Sequence, residues 1–455
     1  MYKKIFISRP LIAALLLTTC QQLIVASSTV WIIKTAGAIA AKQQFMLWVI
    51  LFFISLFIVY IPSSLAVYFK QIAIYESFGK YVHSFSKTMF NLPKIFSNKS
   101  FRERREGYLT NQGWLVISES IHFFMDWFSI SLNVVLNLIV IGYIVDFKIL
   151  LGYLISVPLI WFVLSKNKNN TRKLALEAQG RQSEMQQSLT LGWENILTGN
   201  IWNRSDWLSN FNRKLKITKK TGLSSLLNVE LVSDASMLLS LVPVFAILCR
   251  YFWTNFDDYV KLAILVVTLP RQIQIVQYLS DVVQYASRFI AVRAKIDGLF
   301  ENSTRVSNSV EYSGTVTWSD ISASDGKNPI SLNSEAGLLE LINGRKFGRI
   351  TFRGRNGSGK SSLLFVLKDH LGEKAFLFPT STRLVFKSTS ELSLSQGETT
   401  IRALKEIKNF TPRPSVLLLD EWDANLDLKF QEEISVEIDN LAKELCVVEV
   451  RHRMA

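Results

Sequence analysis

The sequence predicts a two-part fold: an all-α half of six membrane-spanning helices, followed by a cytoplasmic α/β half. Three observations carry this. Hydrophobic residues make up 49% of the 455-residue chain and charged residues only 19%, a balance that fits a membrane protein rather than a soluble one. Long apolar runs recur through roughly the first two thirds of the chain and then stop. Beyond them, short apolar runs alternate with turns, and one run leads into a glycine-rich loop and then a helical stretch.

The first apolar run, Leu11–Ile33, resembles a secretory signal, even a lipoprotein signal ending at Cys20. Thr19 is a poor residue ahead of such a cysteine, and the run continues through LIVASSTVWII, too long for a signal's apolar core. It is read as a transmembrane helix. Phe45–Phe69, Trp114–Val145, Ile149–Leu164, Leu231–Trp253 and Tyr259–Tyr285 are the other five. Each can cross about 30 Å of hydrocarbon, the fourth only just. The sixth carries Arg271 and Asp281.

Orientation follows from the basic residues, which sit in two blocks. Lys70, Lys80, Lys87, Lys94, Lys99, Arg102, Arg104 and Arg105 lie between the second and third spans. A second block, Lys166 to Lys220, lies between the fourth and fifth. Both long loops are therefore cytoplasmic, as are the two ends of the membrane region. The net charge of +14 belongs to these flanks, so no nucleic-acid partner is expected. Within Lys173–Leu215, apolar residues recur at helical spacing. Both loops are read as helices that prolong the spans, with turns near Pro93–Arg102 and Thr198–Asp206 able to touch a cytoplasmic domain. In the third span Glu119, His122 and Asp126 share one face, which Asn133 and Asn137 continue; Glu230 and Asp234 stand four apart in the fifth. Such residues line a substrate path or lie in helix contacts. Cys20, Cys249 and Cys446 are too scattered for a disulfide framework or a zinc site.

Residues 302–313 are polar and divide a membrane part, 1–301, from a last domain, 314–455. There Thr315–Trp318 and Leu338–Ile342 are read as strands. Ile350–Arg353 is a third, and it opens onto Gly354, Arg355, Asn356, Gly357, Ser358, Gly359, Lys360, Ser361 and Ser362, with a helical run from Leu363. Strand, glycine loop, Lys-Ser and helix together form a phosphate-binding P-loop: backbone N–H groups and the helix N-terminus meet phosphate oxygens. Lys360 would reach the β- and γ-phosphates and Ser361 would hold Mg²⁺. Farther on, the apolar run Val416–Leu419 ends in Asp420 and Glu421. Asp420 would hold the same Mg²⁺, and Glu421 would act as general base on the attacking water.

The order of these residues resembles ATP-binding cassette (ABC) transporters. Gly354–Ser361 matches the Walker A loop, and Leu417–Asp420 with Glu421 matches Walker B and its catalytic glutamate. Leu394-Ser395-Gln396-Gly397-Glu398 is similar to the signature sequence, Asn425-Leu426-Asp427 to the D-loop, and His452 stands where the switch histidine is expected. With six spans and two long loops, the whole resembles an exporter-type half-transporter whose P-loop NTPase domain has a contracted helical subdomain. The resemblance implies ATP and Mg²⁺ as ligands, Glu421 and His452 as catalytic, and Ser395, Gly397 and Asp427 as nucleotide contacts supplied between subunits. It implies a homodimer in a bacterial inner membrane, exporting a peptide, antibiotic or other amphipathic small molecule. An alternative is a subunit that binds nucleotide but barely hydrolyses it, or a peptide-immunity protein. Its motive is where the chain departs from the pattern. Lys360 and Ser395 are only 35 positions apart, Thr380 stands in place of the Q-loop glutamine, and no aromatic stands at Ser324–Gly326 to stack on adenine. Weak discrimination between purine bases is therefore expected.

Overall fold

The computed structural model describes residues 5–90, 92–93, 96, 105–304, 316–326, 328–331, 334–380, 384–388, 395–424 and 426–451. The chain divides into two units, Met1–Tyr81 with Trp114–Gly298, and Val82–Gly113 with Leu299–Ala455.

The first unit is helical. Its elements are α1 (Arg9–Ala40), α2 (Met46–Ile58) leading at Val59 into α3 (Tyr60–Met89), α4 (Gly113–Ile144), α5 (Ile149–Thr190), the short α6 (Gly192–Leu197), α7 (Ile201–Thr254) and α8 (Tyr259–Thr304). Six stretches are long and apolar enough to cross a membrane, α2 with α3 counting as one. Ser8 caps α1 by accepting from the Leu11 N–H, with Pro10 in the first turn, where its missing N–H costs nothing.

The second long loop is helical, as its periodicity predicts. α5 has 42 residues and α7 has 54, about 60 and 80 Å at 1.5 Å per residue, twice the hydrocarbon thickness or more. They run antiparallel along their length. Ser156 Oγ donates to Ser240 O (2.6 Å), Thr171 Oγ1 to Asn228 Oδ1 (3.2 Å), Thr218 Oγ1 to Arg181 O (3.1 Å) and Trp207 Nε1 to Ser188 O (3.0 Å). At the reversal the Trp207 ring lies so close to Gly192 that a Cβ there would stand 2.7 Å from it. Val134, Ile141, Tyr153, Ile160, Val244 and Ile275 form the apolar core shared by α4, α5, α7 and α8.

Asn133 and Asn137 of the third span lie in helix contacts. Asn133 Nδ2 donates to Gln22 Oε1 (2.7 Å), and Gln22 Nε2 to Ser129 Oγ (2.9 Å). Asn137 Nδ2 donates to Asn133 Oδ1 (3.0 Å), and Thr29 Oγ1 donates to Asn137 Oδ1 (3.0 Å). Glu119 pairs with Lys295 at 2.7 Å.

The second unit holds a six-stranded sheet of order β2-β1-β3-β6-β5-β4. The strands are β1 (Ile321–Asp325), β2 (Asn328–Ile330), β3 (Gly348–Gly354), β4 (Ala375–Phe378), β5 (Val416–Asp420) and β6 (Cys446–Val450). β3, β6, β5 and β4 are parallel, while β1 is antiparallel to both neighbours. Helices α9 (Glu335–Asn343), α10 (Lys360–Leu371), α11 (Gln396–Ile407) and α12 (Leu428–Ala442) complete it. The central strands are apolar on both faces and alternate between two cores. Val416, Leu418, Cys446 and Val448 join α9 and α10; Leu417, Leu419 and Val447 join α11 and α12.

Two expected strands are not strands. Leu338–Ile342 lies inside α9, with Ser334 accepting from the Gly337 N–H as its cap. Leu338 and Ile342 stand one turn apart and are both buried in the core, so the short apolar run was one helix face rather than a strand. Val316 and Thr317 are irregular and Trp318 begins a short 3₁₀ turn (Trp318–Asp320); the first strand starts at Ile321. Thr315 and most of 302–313 lie outside the described residues.

Leu338→Ala should destabilise the α/β half by about 2–5 kcal/mol. Leu428→Ala, at a 75% exposed site, should stay within about 0.5 kcal/mol. Proteolysis of the full chain across a urea series reads both, and equal midpoints would contradict α9 as a core helix.

Candidate functional site

The site is built at the carboxyl ends of β3 and β5, which flank β6. After β3 the chain turns through Arg355–Gly359 and enters α10 at Lys360. Gly357 (φ 84°) and Gly359 (φ 88°) adopt left-handed backbone that side chains disfavour. Gly354 serves a different need: a Cβ there would collide with the carbonyl oxygen of Asp320. Ser358 ties the loop down, its N–H donating to Arg355 O and its carbonyl accepting from Thr317 N.

This turn leaves donors without acceptors. None of the N–H groups of Asn356, Gly357, Gly359, Lys360, Ser361 and Ser362 has a protein acceptor among the described residues. Three of these belong to the first turn of α10, where the helix dipole adds positive potential. The Lys360 side chain is 5% exposed, and its ammonium donates to Gly354 O and Arg355 O, both at 2.9 Å. Loop carbonyls satisfy it without neutralising its charge. The result is a set of N–H groups without acceptors beside a buried ammonium, a combination that suits an anion.

On the opposite side Ser361 Oγ donates to Asp420 Oδ1 at 2.8 Å. Asp420 ends β5 and is buried. Burial pushes its carboxyl above the usual carboxylate range, and the neighbouring Glu421 charge adds to this, against the bond from Ser361. No group of three or more His, Cys, Asp or Glu that could hold a metal occurs among the described residues. One hydroxyl and one carboxylate make only part of a shell of about six oxygens, so they suit a Mg²⁺ that also takes oxygens from an anion and water.

Glu421 follows with φ 43°, a left-handed conformation in a non-glycine residue. Its N–H donates to Val450 O at 3.0 Å. The next residue fixes this turn: Trp422 Nε1 donates to Glu449 Oε2 at 2.8 Å inside the domain. Glu449, 1% exposed, also takes Arg349 Nε (3.0 Å), Arg349 Nη2 (2.8 Å) and Thr351 Oγ1 (2.7 Å). The Arg451 guanidinium stacks 5.1 Å above the Trp422 ring. Sequence reasoning missed this support. Its signal was present: Glu449 interrupts the apolar strand CVVEV, and a carboxylate buried there requires partners.

The other expected residues lie elsewhere in the domain. Ser395 caps α11 in a reciprocal box with Glu398, whose carboxylate is held below its usual range by the Ser395 N–H. Gly397 admits α12 closely, since a Cβ would stand 2.6 Å from the Phe430 ring. Asp427 caps α12, accepting from Phe430 N at 2.9 Å. Among the described residues, no hydrogen bond joins Ser395, Gly397 or Asp427 to the glycine loop. Thr380 donates to the Asp420 carbonyl at 3.0 Å. Leu394, Asn425 and His452 lie outside the described residues.

Six long apolar helices and an α/β domain with a mostly parallel sheet define a multi-pass membrane protein carrying an attached α/β domain. No family model matches the chain, and no curated protein matches it either.

Because the native Asp420 carboxyl keeps its proton to higher pH than the unfolded one, ionisation penalises the fold as pH rises through that range. The penalty is complete once the pH exceeds the raised native pKa. Asp420→Asn keeps the bond from Ser361 and removes the buried charge. It should raise the thermal midpoint of the metal-free protein at pH 7 and abolish any further rise on adding Mg²⁺ with nucleotide. A fall in the metal-free midpoint would contradict this.

Proposed function

We propose that the protein is an ATP-driven exporter of the ABC kind, moving a peptide or other amphipathic small molecule. The observation that carries this is the loop after β3: unpaired N–H groups and a buried Lys360 on one side, the Ser361–Asp420 pair on the other. These fit a triphosphate with its divalent cation, and the attached spans supply something to drive.

In this reading the loop N–H groups hold the phosphate oxygens and Lys360 leaves its carbonyl partners for the terminal phosphates. Ser361 and Asp420 would hold Mg²⁺, which would supply positive charge against the phosphates. Glu421, fixed by the Val450 bond and by Trp422, orients and deprotonates the attacking water. Ser395 is exposed at the start of α11, with no hydrogen bond to the loop of its own chain among the described residues, and would meet the loop of a second copy, which gives a homodimer with two shared sites.

A route from nucleotide to membrane is supported by the tip of the first long loop. The Phe96 ring lies 5.7 Å from that of Phe365 in α10, one and a half turns past Lys360. Closure of the loop on phosphate shifts α10, and Phe96 carries that shift back along the chain to α3.

Purified protein in lipid should bind and hydrolyse ATP. Lys360→Ala should abolish both, and Glu421→Gln should retain binding while hydrolysis falls at least a hundredfold. GTP should bind within tenfold of ATP. Wild-type hydrolysis no faster than that of the Glu421→Gln variant would favour the alternative, a nucleotide-binding subunit that does not turn over.

A further inference from the structure

We propose that Arg271 is the counter-charge for an acidic group on the transported molecule, so that the cargo is an amphipathic carboxylate. The proposal rests on the exporter reading for its purpose, and on the following geometry for its site.

Arg271 lies deep in the sixth span, Tyr259–Ala286, with roughly 18 Å of helix on one side and 22 Å on the other. All its partners are neutral. Its Nε donates to Thr29 Oγ1 (3.1 Å), Nη1 to Gln274 Oε1 (2.7 Å) and Nη2 to Val25 O (3.3 Å). Two of the five guanidinium N–H groups remain unassigned among the described residues. Among the described residues no carboxylate forms an ion pair with it; its contacts are the hydroxyl, amide and backbone oxygens just named. Three other cations of this unit do meet acids: Lys295 pairs with Glu119, Lys261 with Asp258 and Arg293 with Asp297. An ionised group at this depth pairs, lines a cavity or serves transport.

The surroundings hold the guanidinium in place and leave it accessible. Thr29 is fixed in turn by Asn137, Asn133 and Gln22. Arg271, Gln274 and Tyr278 stand at i, i+3 and i+7 on one face of α8, each half-buried. Gln272, Ile275, Val276 and Leu279 on the other side are buried in the bundle. A polar, half-exposed face in an apolar span fits the lining of a path for a polar group. Tyr278 accepts from Gln274 Nε2 (3.0 Å), so its own O–H is left to donate to a second carboxylate oxygen. One turn away, Val267 joins Ala36, Ile39, Leu262 and Val266 in lining a shallow apolar hollow of about 500 Å³ that is largely open to the surroundings, between α1 and α8. The cargo's acid group sits on Arg271 and Tyr278, and its apolar body lies in this hollow.

The test uses full-length protein in nanodiscs of neutral phosphatidylcholine, without nucleotide, and two probe pairs. One pair is N-acetylated tetraleucine as free acid and as amide; the other is dodecanoate and dodecanol. Calorimetry should show at least one acid binding tenfold tighter than its neutral partner, and the pair that does so tells a peptide cargo from an acyl one. Arg271→Gln should erase the preference and Arg271→Lys should keep part of it, and both variants should match wild type in helical circular dichroism and thermal midpoint in the same nanodiscs, which shows that they fold. The Lys360→Ala variant should retain the preference, so failure of the nucleotide reading does not touch this result. No preference in either pair, including no binding at all, overturns the proposal. So does a preference that survives in Arg271→Gln.

Discussion

The hydrogen bond between Ser361 and Asp420 is the constraint on which the α/β half depends. It joins the first turn of α10 to the end of β5, two strands away from the strand that feeds α10. Holding that distance requires β6 between β3 and β5 in parallel register, and it requires Asp420 to stay buried. A carboxylate kept there at neutral pH is a cost to the fold, not a contribution. The chain accepts it beside a loop whose N–H groups are equally unsatisfied. A positive loop and a buried carboxylate, each unfavourable alone, become favourable together when an anion and a divalent cation are seated between them.

The second requirement is that Glu421 keep a backbone conformation its side chain resists, at a cost of order 1–3 kcal/mol. The compensation comes from its neighbour. Trp422 is bonded by its indole to Glu449, covered by Arg451 and packed in the core that also holds α11 and α12. Glu449 is tolerable in the interior of β6 only because Arg349 and Thr351 of β3 meet it. The strand before the glycine loop and the turn after β5 are thus linked through one buried acid. Movement at either end of the site is resisted by the same group of side chains.

Much of this was legible in the sequence, for physical reasons that differ by region. The six spans follow from length and hydropathy, because a bilayer forces both. The helical extensions in α5 and α7 follow from apolar spacing. Asp420 follows from an apolar run that ends in carboxylates. Where the sequence misled, the run was short: Leu338–Ile342 fits either a strand or one helix face, and only Ser334 ahead of it distinguishes them. Ser395, Gly397 and Asp427 carry a further lesson. Each has a local structural task, two as helix caps and one as the point of close approach between α11 and α12. Their residue types are therefore explained within one chain, and any role toward a second chain must be established separately. Glu449 was missed because a strand periodicity has no place for a buried acid, although that mismatch was itself the signal.

The polar residues of the spans divide along the same line. Gln22, Ser129, Asn133 and Asn137 bond to one another across α1 and α4, so they bind the two helices together. Arg271 stands at the end of that chain of bonds and differs in kind, because hydrogen bonds to neutral groups satisfy its donors without neutralising its charge. Mutual satisfaction explains a polar group in a membrane; it does not explain a charge. The half-exposed face that runs from Arg271 through Gln274 to Tyr278 is therefore one part of the bundle that helix packing alone leaves unaccounted for.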